Sequence, residues 1–527
     1  MLYALAGKYS HRSAAVCLFC ILDESRELLS WDFLSGGKDM SKIDVMDLTF
    51  AYEGSYDNIF EHVSFQLDTD WKTGFTGRNG RGKTTFLRLL QGKYSYQGRI
   101  SASVEFDYFP FPVDDPWELT QDVIESLDPD LPAWKVQKEL TQLRLEKEVL
   151  YRPFGTLSQG EQTKVLLAVL FLRENHFLLI DEPTNHLDMQ ARQEVAGYLQ
   201  KKKGFILVSH DRTFMDQCVD HMLALNRTDI QVQKGNFSSW YQNKQRQDEW
   251  EEAENERVKK EIRHLEEASR RTSGWSDQKE KEKSGAADRG YVGHRAAKMM
   301  KRSKSLERRQ NEQMERRKSL LQNVETAEDL KIHGERYHSQ KLVEGENLTI
   351  CYDGREICKP LNFVVEQGEQ TLLQGRNGCG KSSLIHLILG DPIEYKGILR
   401  VASGLRISYV SQDTSFLHGD LRELIRREEL DESLMKAILR KLDFSRLQFE
   451  KPMESYSEGQ KKKVLLARSL CQRAHLYIWD EPLNYIDVDS RIQLERLLTE
   501  YRPTMLLVEH DQAFAERVAT REIRMME

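Results

Sequence analysis

Long hydrophobic runs are what this sequence lacks most plainly: no stretch of its 527 residues approaches the roughly 20 consecutive apolar residues that a bilayer-crossing helix needs. Transport by the chain acting alone is thereby excluded, and any membrane role would need a partner protein. Cysteine is scarce, with seven residues dispersed through the chain, which suits a reducing compartment and argues against a disulfide framework. Cys17 and Cys20 form a CxxC, but no second pair stands at metal-site spacing, so structural zinc is not expected. A large net charge is missing too. The formal value of −7 argues against a protein coated all over with nucleic acid and leaves room for a local basic patch. Charge of both signs is abundant, at 31% of residues against 39% hydrophobic. A chain of this length and balance is read as two soluble, cytoplasmic domains and a connector.

The chain repeats itself. GRNGRGKTT at 77–85 returns as GRNGCGKSS at 375–383. Beyond these motifs, 81 positions separate Gly77 from Ser158 of LSQGE and 82 separate Gly375 from Ser457 of YSEGQ, while Asp181 and Asp480 each follow their serine by 23. Spacings held over such distances mark a tandem duplication. Short apolar runs (HFLLI, FILVS, LYIW, MLLVE) alternate with helical patterns and predict a mostly parallel α/β sheet fed by crossover helices. The expected domains are 40–237 and 340–527, joined by a linker at 238–339. The linker is charged and helix-periodic, with a Gly- and Ser-rich interruption at about 272–293, so a long α-helical hairpin is predicted. Residues 1–39 precede the pattern that opens the first copy at Met40 and are read as an upstream extension outside the fold.

Each GxxxxGK[ST] loop suits a triphosphate. Gly77, Gly80 and Gly82 with Asn79, and Gly375, Gly378 and Gly380 with Asn377, let backbone N–H groups wrap the phosphates. Lys83 and Lys381 supply a point charge, Thr84 and Ser382 a hydroxyl for Mg2+, and Thr85 and Ser383 continue into the helix whose N-terminus favours anions. Asp181 and Asp480 close apolar runs and precede Glu182 and Glu481. This puts one carboxylate near Mg2+ and the next where it polarises a water as general base, with His210 and His510 as sensors of the γ-phosphate. A lone Asp-Glu pair is more often a helix cap or surface pair; repetition at matched distance favours the chemistry.

Together these motifs resemble the ABC ATPase superfamily. The resemblance implies two P-loop nucleotide-binding domains meeting head to tail, with each ATP held between one loop and the opposite signature. Site one would combine Lys83, Glu182 and His210 with Ser457 and Gly459; site two would combine Lys381, Glu481 and His510 with Ser158 and Gly160. Tyr52 and Tyr352 occupy the place of the aromatic that stacks on adenine, and Gln412 in SYVSQD that of a glutamine serving Mg2+ and the attacking water. The first copy departs from the pattern: DYFPFPV puts Phe111 where the glutamine is expected, which predicts weaker metal coordination or slower turnover at site one.

MSKI, RPF before the first signature, DEPTNHLD, GFILVSHDR, RAAKMMKRSK and YIWDEPLNYID extend the resemblance to the ABC-F family, and within it to Lsa-type antibiotic-resistance proteins. The likeness implies a monomer whose own two domains pair and which binds the ribosome at large-subunit rRNA of the exit-site region, beside peptidyl-site tRNA. It further implies a linker tip that dislodges lincosamide, pleuromutilin or streptogramin A drugs. A translation factor acting on stalled ribosomes without drug, and the ATPase subunit of an exporter, are the rival readings. Residues 289–318 carry a local excess of eight positive charges, suited to a phosphate backbone. Trp275, Tyr291, His294, Arg295, Lys298, Lys301, Arg302 and Lys304 are the candidate RNA contacts, the aromatics by stacking on unpaired bases. The plain alternative is a solvated charged helix.

Overall fold

The computed structural model describes residues 42–526 except 54–57, 186, 227–228, 283–329 and 353; for 252, 262 and 264–282 it describes the backbone alone. The first half runs β1 (Lys42–Phe50), β2 (Phe60–Asp68), β3 (Lys72–Thr76), α1 (Lys83–Leu90), β4 (Gln97–Ala102), β5 (Glu105–Phe109), α2 (Thr120–Leu127), α3 (Ala133–Gln142), α4 (Gln159–Leu170), β6 (His176–Asp181), α5 (Met189–Leu199), β7 (Phe205–Val208), α6 (Arg212–Cys218), β8 (His221–Leu225) and β9 (Ile230–Lys234), and then enters α7 (Phe237–Glu282). The second half runs β10 (Lys341–Tyr352), β11 (Arg355–Glu356), β12 (Leu361–Glu366), β13 (Gln370–Gln374), α8 (Lys381–Leu389), β14 (Tyr395–Val401), β15 (Ile407–Val410), α9 (Leu421–Arg427), α10 (Glu432–Lys441), α11 (Glu458–Cys471), β16 (Leu476–Asp480), α12 (Val488–Tyr501), β17 (Met505–Val508), α13 (Gln512–Val518) and β18 (Arg521–Arg524).

The apolar runs become buried parallel strands. Their order is β5-β6-β7-β3-β8 in one half, with β9 antiparallel at the edge, and β15-β16-β17-β13-β18 in the other. FILV of β7 and MLLV of β17 are buried at every position, as strands covered on both faces must be. Each half also carries a smaller antiparallel sheet, β2-β1-β4 and β11-β10-β12 with β14 on β10, whose separation from the parallel sheet was not foreseen. In the first half, β3, β6 and β7 are neighbours, so the loops after Thr76, Asp181 and Val208 converge at the carboxyl edge of the sheet, where open α/β folds place their ligands.

The halves share packing on the side where α7 emerges. Val488 and Ile492 of α12 are buried in the first half's core with Phe237, and Trp240 and Tyr241 pack against that cluster. The linker reading needs one correction: α7 runs to Glu282, past the expected loop start at 272. A single interior glycine, Gly274, costs about 1 kcal/mol, too little to end a helix whose next residues, WSDQKEKE, are mostly good helix formers. The remainder of the expected loop, to 293, lies outside the described residues. Among the described residues no helix is long and apolar enough to cross a membrane.

Candidate active sites

The two phosphate loops fold alike because their glycines take backbone angles other residues rarely adopt. Gly80 and Gly82 have φ of 80° and 105°, and Gly378 and Gly380 of 86° and 94°. Lys83 Nζ turns back onto the carbonyls of Gly77 (2.6 Å) and Arg78 (3.3 Å), and Lys381 Nζ onto those of Gly375 and Arg376 (both 2.9 Å), so each ammonium is held within its loop. Burial lowers the Lys83 pKa below its ordinary value, against the pull of Glu182.

Each loop faces the signature of the other half. A cleft of about 810 Å³ is lined by Asn377, Gly378, Gly380, Lys381, Ser382, Ser383, Gln412, Glu481, His510 and Tyr352 from the second half and by Ser158 and Gly160 from the first. The structure therefore brings together the residues predicted for site two. In site one, Asn79 Nδ2 donates to the Tyr485 carbonyl (2.9 Å), and a Cβ on Gly459 would lie 3.3 Å from that nitrogen and 2.4 Å from the carbonyl, so only glycine fits there. Ser158 and Ser457 cap α4 and α11 through capping boxes with Glu161 and Gln460, leaving the positive helix ends beside the opposing loops.

Glu182 and Glu481 have left-handed backbone (φ 51° and 46°), pinned by amide bonds to the Val208 (2.9 Å) and Val508 (3.0 Å) carbonyls. Such strain persists where surrounding structure imposes it, often at functional sites. Beyond the backbone the two glutamates differ. Gln412 Nε2 donates to Glu481 Oε2 (2.8 Å), as does Asn484 Nδ2 (2.6 Å), and His510 Nε2 lies 3.4 Å from Oε1. Burial opposes ionisation of Glu481, but His510, Lys381 and Lys462 outweigh it and its pKa falls below the ordinary value. Glu182 is 3.3 Å from His210 Nε2, yet that nitrogen bonds Asn79 Oδ1 (3.1 Å) and neither Glu182 oxygen has a hydrogen-bond partner. Burial, then Asp181, raises its pKa to about 8, and burial also holds His210 well below the ordinary histidine value.

Strand register accounts for the difference. Tyr108 pairs with Leu179, two residues before Asp181, and Tyr409 pairs with Ile478, two before Asp480; three residues on lie Phe111 and Gln412. Phe111 therefore occupies the glutamine's place, and its ring packs against the first half's core. Tyr108, which sequence reasoning missed, donates its hydroxyl to Asp181 Oδ2 (2.8 Å), an oxygen that also accepts from Thr84 Oγ1 (3.0 Å). Asn484 was missed as well, although aligning DEPTNHLD with DEPLNYID would have drawn notice to it.

The donor sets fit Mg2+. In site two Ser382 hydrogen-bonds Asp480, whose Oδ1 is buried and unpartnered; in site one Thr84 and Asp181 adjoin. One hydroxyl and one carboxylate are the hard, sparse ligands Mg2+ takes when substrate phosphates complete its shell. Gln412 spends its amide nitrogen on Glu481, and its oxygen would be the atom to serve as a ligand. Among the described residues no cluster of three or more His, Cys, Asp or Glu could cage a metal. Tyr52 and Tyr352 are partly exposed, and their hydroxyls meet Thr85 Oγ1 (2.7 Å) and Ser383 Oγ (3.0 Å) at the start of α1 and α8. Of the predicted RNA contacts, Trp275 lies on α7 with its backbone alone described; Tyr291, His294, Arg295, Lys298, Lys301, Arg302 and Lys304 lie outside the described residues.

The interface around site one has its own contacts. Arg78 lies 3.5 Å from both Asp443 and Asp489, and Lys244 of α7 lies 3.6 Å from Asp489. Arg212 pairs with Glu495 (2.5 Å), both buried; the mirrored positions hold Gln512 and Ala196, which cannot form an ion pair. Beside site two, the Asn377 amide meets Asp188 Oδ2 at 3.4 Å.

A family model described as "ABC transporter" matches residues 60–185 and 358–484. The chain is 28% identical over 485 residues to the ribosome protection protein VmlR of Bacillus subtilis, covering 90% of this chain and 85% of that one. It is 26% identical over 506 residues to the ATP-binding protein Uup of Buchnera aphidicola (91% and 80% covered), and 24% over 579 residues to the ABC transporter F family member 2 of Arabidopsis thaliana (98% and 82%). In fold it resembles a chain in the crystal structure of archaeal ribosomal stalk protein aP1 with the ribosome recycling factor aABCE1, with a TM-score of 0.58 at 18% identity, covering 91% of this chain and 89% of that one.

Proposed function

Because the chain belongs to the ABC-F family and is an ABC-type ATPase, we propose that it is a cytoplasmic ribosome-binding protein that uses closure on two ATP molecules to aim its linker at large-subunit rRNA and dislodge bound antibiotics. The reading rests chiefly on its likeness, across 90% of the chain, to a protein named for ribosome protection. The cassettes are 40–237 and 340–527, and the linker is 238–339.

In each site the lysine and loop amides would hold the triphosphate, the opposing signature would close on the γ-phosphate, and the glutamate would take a proton from the attacking water. Mg2+, held by Thr84 and Asp181 or by Ser382, Asp480 and Gln412, would neutralise charge on the phosphates. The root of α7 supports a link from this chemistry to the arm: it shares a core with α12, and Lys244 and the loop residue Arg78 both meet Asp489. Beyond α7, the positive stretch at 289–318 suits the RNA backbone.

A chain carrying Glu182→Gln and Glu481→Gln should be retained on ribosomes in an ATP-dependent manner; absence of retention in cosedimentation overturns the ribosomal reading. Cells expressing the native chain should tolerate lincosamide, pleuromutilin or streptogramin A drugs, and deletion of 272–293 should abolish this. Retention without any resistance would instead favour a translation factor.

A further inference from the structure

We propose that Lys462 is a positioning residue for hydrolysis in site two, holding the backbone around Gln412 against that of Asp480 from the helix whose N-terminus serves site one. This rests on the paired-site ATPase reading and is independent of the ribosomal one. Lys462 is only 2% exposed, and its Nζ donates to the carbonyls of Ser411 (2.8 Å), Gln412 (3.4 Å) and Asp480 (3.3 Å). An ammonium has three protons to give, and these three carbonyls can take them. One turn earlier on α11, Glu458 Oε2 accepts from Thr414 Oγ1 at 2.5 Å. The helix thus grips the 411–414 segment at two points, and between them the Gln412 side chain reaches Glu481 at 2.8 Å.

A buried ammonium without charge partners is costly, and here Asp480, Glu481, Glu509 and Glu458 surround it and offset that cost. The duplication supplies an internal comparison. The first half has Thr163 for Lys462, Gln159 for Glu458, Val113 for Thr414, Ser209 for Glu509 and Phe111 for Gln412. The cation, the glutamine and the two carboxylates Glu458 and Glu509 occur together in one copy and are replaced together in the other, while Asp480 and Glu481 are kept as Asp181 and Glu182. That pattern is expected if the lysine serves the glutamine, whereas a lysine that only filled space would have no tie to position 412. Because Gly459 on the same helix abuts Asn79 of site one, the grip also joins the hydrolytic end of site two to the element that closes site one.

The test is a double-mutant cycle on the full chain in a Glu182→Gln background, where site two carries the chemistry. Lys462→Thr should lower kcat about tenfold with KM for ATP changed less than about twofold, and the same substitution in a Gln412→Ala chain should change kcat by less than about twofold. A loss of similar size with and without Gln412, or a fall in melting temperature with kcat intact, overturns the proposal. Should Lys462→Thr not fold, Lys462→Met, which keeps the apolar stem, is read in the same cycle. A parent chain without turnover overturns the paired-site reading and the proposal with it.

Discussion

The two nucleotide sites are copies of one design and have come to differ in opposite respects. Site one lies on the linker side, where a shared apolar core and the Arg78–Asp489–Lys244 contacts tie the halves together, yet its glutamate has no hydrogen-bond partner and Phe111 replaces the glutamine. Site two borders an open cleft and has the fuller polar set, with Glu481 bonded by Gln412 and Asn484. The difference teaches that packing and chemistry can be divided between duplicated sites: under the proposed function, site one would couple closure to the arm and site two would turn ATP over.

The largest effect that tests this division is the loss of each glutamate. Glu481→Gln should lower steady-state phosphate release about 100-fold, and Glu182→Gln no more than about threefold; equal losses would break the comparison. Next is pH. In a Glu481→Gln chain the residual activity depends on Glu182, whose raised pKa keeps it protonated, and so unable to accept a proton, until pH rises through about 8. Activity should therefore climb about tenfold between roughly pH 7 and 9. The Glu182→Gln chain should show no such climb, because Glu481 ionises below its ordinary value. Phe111→Gln in the Glu481→Gln chain should speed residual turnover about fivefold by restoring an amide beside the water. Because the ring packs on the core, melting temperature should fall; unchanged turnover would locate the defect of site one elsewhere. The smallest effect concerns the tie itself: Asp489→Asn, on a part-exposed ion pair, should cost at most about 0.5 kcal/mol while weakening ATP binding at site one about twofold, read by calorimetry against Gln190→Asn at the mirrored position.

Much of both sites could be read directly from the residues. The glycines of the loops, the hydroxyl after each lysine and the Asp-Glu pairs act through local backbone geometry and short spacing, so their identity in sequence carries their role. Tyr108 escaped notice because a strand tyrosine is usually core, and only its position two residues short of Asp181 on the neighbouring strand brings its hydroxyl to the carboxylate. Lys462 escaped because a lysine in a helix is usually solvated. The helix continues past the expected loop start at 272 because the first part of that Gly- and Ser-rich stretch holds one glycine among helix formers.

By itself the sequence determined the duplication, the parallel strands and the phosphate loops, since hydrophobic periodicity and glycine conformation act over a few residues and need no distant partner. Only the tertiary structure decided which loop meets which signature, that the halves would share an apolar core on the linker side, and that matching glutamates would stand in different surroundings. Those outcomes depend on burial and on charges brought close from far along the chain, and two glutamates followed by the same proline acquire different chemistry only when their surroundings fold around them.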